Sequence, residues 1–530
     1  MAENDTTTDA SAPSEASPLL ISTQSGLVQG LNRDHDVVFY GIPYAAPVSG
    51  IARFEAPQPP HTWEGVRDCT KPGPTAQDFL SKHTPTIPEP VRRGAEKLNL
   101  TIYAPKDTLP QPDRLTLKHP LPVFVWIHGG SFIKGENACN WWDGGKFTAA
   151  GVIVVTINYR LDAEGWLPLP DVPPNRGMLD QIAALTWIQR NIAAFGGDPQ
   201  RVTIGGQSAG GTSVFCLASN PAAEGLFQQV FACSPAFIRI PENNMAKAAH
   251  RISRAARRAF PFAKFTAEAL SQWPMEKMEK LSRRMRRTNP LGLPFYPVQD
   301  KLTQPKPLTI SAGEQPFQKY PMLMGATSEE FNSVTFDGLK KLLTRLAVEI
   351  TLSISAVTPH QKNDVIAAHH DDITEGRIGA VMTDTMIRAT IATAAENRVL
   401  DQPAEESHTW VYDYRWPGRR GAAHCADIPM WFGTLGADTA DRQVGPVTTT
   451  NPADPTAAVL EDAAGQTTAD LMQSALTHFI KEGNPGWPSY NDLTRICMVW
   501  DEKPHAEMDC YKDCLLYTSP SPRTREDLVC

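Results

Sequence analysis

A chain of 530 residues with 41% hydrophobic and 20% charged residues has the balance of an ordinary globular protein and can bury a large core. Its 50 Lys and Arg against 58 Asp and Glu give a formal charge of −8, which argues against a general nucleic-acid binder. The nine cysteines are scattered, with only a weak Cys510-Tyr-Lys-Asp-Cys514 pair, so they read as free buried thiols in a reducing compartment rather than as a disulfide or zinc framework.

Residues 1–18 are rich in Ala, Ser, Thr, Asp and Glu and read as a disordered polar tail. They lack the basic start and apolar segment of a secretory leader, and no later run is long and apolar enough to span a membrane. The expectation is a soluble cytoplasmic protein, a mature form already trimmed of a leader being the alternative. From residue 19 to 514 we expect one domain. Leu27–Leu31 and Val37–Tyr40 are short strands near glycine turns. The proline-dense stretch from Gly41 to Trp63 is an irregular packed connection. After a loop-like region, Leu98–Tyr103 alternates as a strand does. Val123–Ile127 is continuously apolar, as in a strand covered on both faces, and empties into His128-Gly129-Gly130-Ser131-Phe132. A glycine loop there can offer backbone N–H groups to an oxyanion. Val152–Ile157 is a second buried strand, ending in Asn158-Tyr159-Arg160.

Met178 to Phe195 has helical spacing and stops at Gly196-Gly197-Asp198-Pro199. The run from Arg201 then delivers Gly206-Gln207-Ser208-Ala209-Gly210, the G-x-S-x-G pattern of a strained strand-to-helix turn that exposes a serine hydroxyl. Alternating strands and helices predict an α/β protein with a mostly parallel sheet covered on both faces. Asn243 to Pro290 holds roughly a dozen Lys and Arg among Ala, Met and Leu. It reads as amphipathic helices whose charges form a solvated face, in preference to an anionic-surface or partner contact. Helical insertions are expected over about 240–300 and 335–405, the latter from Leu339–Leu352 and Val381–Leu400. Pro321–Gly325 and Thr409–Trp416 are late strands, and Leu471–Glu482 is the last helix.

A serine hydroxyl needs a base, and the base needs a carboxylate that fixes its tautomer. After a G-x-S-x-G turn the chain order is Ser, acid, His. Of the eight histidines beyond Ser208, His424 follows a late strand in the small-residue loop Gly421-Ala-Ala-His424. Glu329 and Glu330 both follow a strand and a glycine, and spacing alone does not separate them. His369-His370-Asp371-Asp372 reads as a polar turn facing solvent, with no further ligand motif for a metal.

Taken together, Gly41-Ile-Pro-Tyr-Ala with Arg53-Phe54, Val125-Trp-Ile-His-Gly-Gly, Asn158-Tyr-Arg-Leu161, Asn191 through Pro199, the serine turn and Trp487-Pro-Ser-Tyr490 resemble the type B carboxylesterase family, which includes cholinesterases and bacterial para-nitrobenzyl esterases. The pattern of the last is the nearest. The resemblance implies an α/β-hydrolase fold and a catalytic set of Ser208, Glu330 and His424. It also implies oxyanion donors at Gly130, Ser131 and Ala209, and a bracing Arg160–Asp180 pair. It implies an acyl-enzyme route on small to medium, uncharged, apolar esters. The partner is then a small-molecule ester, with no nucleic acid, no cofactor and no metal. The same residues redirected to lactones, carbamates or acyl transfer are the alternative, and a non-catalytic binding module is a more distant one. Phe132, Trp166, Phe331, Trp431 and Phe432, with Gln207, are the expected pocket wall.

Some positions depart from the family pattern. Gln207 stands where glutamate is usual, which disfavours cationic substrates. Ser131 replaces a third glycine, so its side chain narrows the acyl side. Ala95-Glu96-Lys97 replaces a Glu-Asp-Cys block, leaving Cys69 without its usual partner. Phe331 replaces a glycine. Residues 515–530 do not resemble the family's final helix and are expected to be unstructured and not native to the gene.

Overall fold

Apolar runs bounded by glycine become strands, and their order decides where chemistry can sit. In a computed structural model, residues 19–79, 87–109, 119–236, 242–288, 294–304, 317–335, 344–354, 359–400, 407–418, 420–435 and 455–515 are described. Both expected tails, apart from residue 515, fall outside them. Thirteen strands form one sheet among the described residues. They are β1 (Leu20–Thr23), β2 (Gly26–Asn32), β3 (Asp36–Pro43), β4 (Val66–Cys69), β5 (Asn99–Pro105), β6 (Leu121–Ile127) and β7 (Ile153–Ile157). The remainder are β8 (Gly197–Gln207), β9 (Gln229–Cys233), β10 (Met322–Thr327), β11 (Thr409–Tyr414), β12 (Ile496–Trp500) and β13 (His505–Met508). Their spatial order is β1-β2-β3-β5-β7-β6-β8-β9-β10-β11-β12-β13, with β4 on the side of β2. The block from β7 to β12 is parallel, and antiparallel strands finish both ends. This is the α/β-hydrolase architecture.

Because side chains alternate along a strand, β6 feeds two cores. Val123, Val125 and Ile127 enter a largely aliphatic one, while Phe124 and Trp126 enter an aromatic one. From β6 the chain goes to β7 on one side and then returns to β8 on the other. The carboxyl ends of β6 and β8 therefore flank a topological switch point, where open α/β sheets leave a crevice for ligands. Ile127 pairs with Gly206, so the His128 loop and the Ser208 turn emerge side by side.

Arg160 and Asp180 lock the loop after β7 to the helix Arg176–Asn191. Arg160 Nη2 and Nε donate to the two carboxylate oxygens at 2.6 and 2.8 Å, and the Arg160 backbone N–H donates at 2.9 Å. Nη1 reaches the Ala52, Arg53 and Glu55 carbonyls, and neither side chain is exposed at all.

The basic insertion folds as the helices Glu242–Ala259, Ala267–Ser271 and Met275–Thr288. Ile252, Ala256, Met278, Leu281 and Met285 face inward. Three expectations need correction. The helix expected at Leu471–Glu482 begins at Pro455 and is not the last, since Lys512–Leu515 follows; Ala457, Ala458, Ala463 and Ala464 favour helix without writing an apolar period. Val381–Leu400 is not one α-helix: Ile378–Met382 passes through a π-helical turn, Thr383–Arg388, into Ala389–Val399. His369 does not face solvent. It is buried, with Nδ1 3.0 Å from Asp372 and Nε2 3.2 Å from Asp384, and these carboxylates outweigh burial and raise its pKa; only His370 is exposed. Among the described residues no helix is long and apolar enough to cross a membrane. The eight cysteines there are all free thiols, and burial pushes that of Cys69 up to about 12.

Candidate active site

The turn after β8 holds Ser208 at φ 57°, ψ −117°, a conformation that costs an L-residue of order 1–3 kcal/mol. Glycine makes the surrounding contacts possible. A Cβ on Gly206 would sit 2.5 Å from the Gly210 backbone, and one on Gly210 would sit 2.0 Å from the Ile127 carbonyl oxygen. Ser208 N–H donates to Cys233 O at 2.9 Å, and the helix Ala209–Ala218 starts directly behind the serine. Ala209 thus presents one of the N–H groups that the first turn of a helix leaves unpaired.

The loop after β6 closes on this turn. A Cβ on Gly129 would meet Gln207 O at 2.7 Å and Ser208 Cβ at 3.2 Å. Gly130, Ser131 and Phe132 follow at φ 105°, 58° and 61°. The Gly130 carbonyl accepts from Ile133 and Lys134, both at 3.1 Å, and Phe132 O accepts from Asp162 N–H at 2.7 Å. Among the described residues the N–H groups of Gly130 and Ser131 have no hydrogen-bond partner. His128 braces the loop from below, stacked on Tyr159 with centroids 4.7 Å apart. Burial drives its pKa down to about 4, so it is neutral.

On the other flank β10 ends in Gly325-Ala326-Thr327, and the turn after it separates the two glutamates. Glu329 is exposed and bonds Asn332. Glu330 is buried, accepts from Thr327 N–H at 2.9 Å through Oε1, and meets His424 Nδ1 through Oε2. His424 N–H also donates to Glu330 O at 3.1 Å, so backbone and side chain orient the ring together. Its Nε2 lies 3.2 Å from the Gln207 amide nitrogen. An amide NH2 only donates, so Nε2 accepts and the ring proton sits on Nδ1, facing Glu330. Burial opposes a charged imidazole, but Cys425 and Glu330 outweigh it and hold His424 well above the ordinary histidine pKa.

Of the aromatic residues expected on the pocket wall, only Phe331 is beside these groups. Its half-buried ring stacks on His424 with centroids 5.9 Å apart. Trp431 and Phe432 lie wholly inside the aromatic core: Phe432 packs edge-on to Trp126 at 5.0 Å, and Trp431 to Phe231 at 5.2 Å. Phe132 and Trp166 are buried against each other at 4.6 Å. These four hold the loops from beneath instead of lining space above Ser208.

Two acids escaped the sequence reading. Asp427, fully buried, accepts from Tyr412 Oη at 2.8 Å, while its Oδ1 has no partner among the described residues. Burial, and then the charge of Glu330, push its pKa up to about 6. Asp162 sits at φ 58°. It takes a hydrogen bond from Ser282 of the insertion while its N–H holds the Phe132 carbonyl, so a basic helix is tied to the glycine loop. Neither acid belongs to a motif, and hydrophobic periodicity does not register a single buried acid. No cluster of three or more metal-ligating side chains occurs among the described residues.

The profile of the Carboxylesterase family matches residues 17–510. The chain belongs to that family. It is a carboxylic-ester hydrolase, and catalytic triads and oxyanion holes are typical of the group. The para-nitrobenzyl esterase of Bacillus subtilis (strain 168) is 31% identical over 511 residues, covering 92% of this chain and 96% of that protein. The fumonisin B1 esterase of Sphingopyxis macrogoltabida is 31% identical over 452 residues, covering 79% and 75%. A solved PNB esterase structure superposes with a TM-score of 0.79 at 28% identity, covering 95% of this chain and all of that one.

Proposed function

We propose that this carboxylesterase works through an acyl-enzyme with Ser208 as nucleophile, His424 as general base and Glu330 as the residue that orients the imidazole. The observation that carries the proposal is the line Glu330–His424–Gln207, laid beside Ser208 at the switch point and next to two unpartnered backbone N–H groups. Ser208 Oγ attacks the ester carbonyl and passes its proton to His424 Nε2. Glu330 stabilises the imidazolium without taking the proton. The oxyanion is held by the N–H groups of Gly130, Ser131 and Ala209, each worth about 3 kcal/mol of the barrier. His424 then protonates the departing alcohol, and water repeats the sequence on the acyl-enzyme.

Uncharged, apolar esters of small to medium size are the substrates this arrangement suits. The side chain beside the base, Gln207, is a neutral amide. The Bacillus relative named for p-nitrobenzyl esters supports the same class. Ser208→Ala should lower kcat for p-nitrophenyl butyrate by about 10⁶-fold and abolish covalent labelling by a fluorophosphonate. Near-normal hydrolysis by that variant would remove Ser208 from the mechanism. A series of acyl chain lengths, with lactones and carbamates alongside, would define the substrate range.

A further inference from the structure

The charge of this chain is unevenly placed. Residues 242–288 carry twelve Lys and Arg against four Glu, a net +8 inside a chain of −8. The helix Glu242–Ala259 ends in Arg257 and Arg258, both exposed. The chain then turns through Phe260-Pro261-Phe262-Ala263-Lys264, with Ala263 N–H closing on Phe260 O at 3.1 Å. Phe260 turns inward onto Trp273, centroids 5.2 Å apart, and beneath Arg284, whose guanidinium is 4.6 Å above its ring. Phe262 turns the other way. At 101% relative exposure it is as open as a phenylalanine in an extended chain, and Pro261 and Lys264 beside it are also exposed. Among the described residues no carboxylate pairs with Arg257, Arg258, Lys264 or Arg287, whereas Arg283 pairs with Glu279.

Cations without partners are ordinary on a solvated helix, and so is one exposed apolar ring. Their coincidence at a single turn is not explained by solvation. A bare polyanion would use the cations and leave the ring idle, and an acidic protein surface would need a groove to seat it. An anionic lipid surface uses both. Its headgroups meet the arginines, each worth about a fivefold gain in partition, while an aromatic ring enters the boundary between headgroups and acyl chains.

We propose that the turn Phe260–Lys264 and the arginines around it dock this esterase peripherally on anionic lipid bilayers. The test is sedimentation of the full-length protein with large vesicles of phosphatidylcholine containing about 30% phosphatidylglycerol, against vesicles of phosphatidylcholine alone. The protein should follow the anionic vesicles at low salt, be released at high salt, and ignore the neutral ones. Arg257→Gln with Arg258→Gln should lower the partition roughly 25-fold. Phe262→Ser should lower it about tenfold while leaving the salt dependence unchanged. Hydrolysis of a soluble ester by both variants should match the parent, which shows that they fold. Equal sedimentation with both vesicle types, or none with either, would overturn the proposal. So would a Phe262→Ser protein that binds as the parent does while a short DNA duplex displaces it, since that would mark a bare polyanion site.

Discussion

Two pairs of ionisable side chains, Arg160–Asp180 and Glu330–His424, have opposite characters. Arg160–Asp180 is closed. Both carboxylate oxygens are used, Arg160 Nη1 is filled by backbone carbonyls, and nothing is exposed. Glu330–His424 is open. Nδ1 is committed to the carboxylate, and Nε2 faces the amide nitrogen of a glutamine in the segment that presents the serine. What separates the brace from the proposed reactive pair is exposure: both partners of the first are wholly buried, whereas the His424 side chain is 27% exposed at the crevice.

Opening the reactive pair should give the larger effect. Glu330→Gln keeps the shape but withdraws the charge that orients Nδ1–H, and should cost about 10⁴-fold in kcat. The sign of its pH effect follows from His424. In the proposed mechanism only the neutral imidazole accepts the serine proton, and Glu330 helps hold the pKa above 6.5. The acidic limb of kcat/KM should therefore lie above 6.5 in the parent and move to lower pH in the variant, where burial acts with less opposition. A limb that stays put would disconnect Glu330 from the base.

Breaking the closed pair should act on stability instead. Asp180→Ala leaves Arg160 charged and dry, and should destabilise the fold by about 3–5 kcal/mol, read as a lower denaturation midpoint. Any protein that remains folded should keep its pH profile.

Asp427 is intermediate between the two, a buried acid whose hydrogen-bond partner is a tyrosine. Its folded pKa of about 6 exceeds the ordinary 3.8. Its contribution is thus fully present below the unfolded pKa and is lost as pH rises through the folded one. Above that, the ionised group costs about 3 kcal/mol. Asp427→Asn should melt higher than the parent above about pH 7 and coincide with it near pH 4, as followed by thermal melting across pH.

These contrasts mirror what could be read in advance. The serine turn and the glycine loop were legible because backbone contacts of 2.0–2.7 Å to a hypothetical Cβ leave glycine no substitute at Gly129, Gly206 and Gly210. Five of the seven strands of the parallel block were legible as apolar runs, whereas Gln229–Cys233 and Ile496–Trp500 were not read. Glu329 and Glu330 could not be separated by spacing, since only the turn geometry sends one outward and the other to His424. Trp431 and Phe432 were misplaced for a related reason: an aromatic side chain declares that it will be buried and not beneath which loop. His369 was misjudged because its partner Asp384 comes from another helix, a contact no local pattern encodes.

The π-helical turn at Thr383–Arg388 has a consequence for how this region can tolerate change. At one end Thr383 Oγ accepts the Phe331 N–H at 3.1 Å, steadying the residue next to Glu330; at the other, Arg388 grips Asp413 on β11. Such a turn holds one residue more than an α-helical turn. Deleting that extra residue would restore regular winding with both ends still in phase, so both grips could survive. A deletion in the α-helical turns on either side would instead rotate one end against the other by about 100°, so this turn is the place where the helix can change its length by one residue.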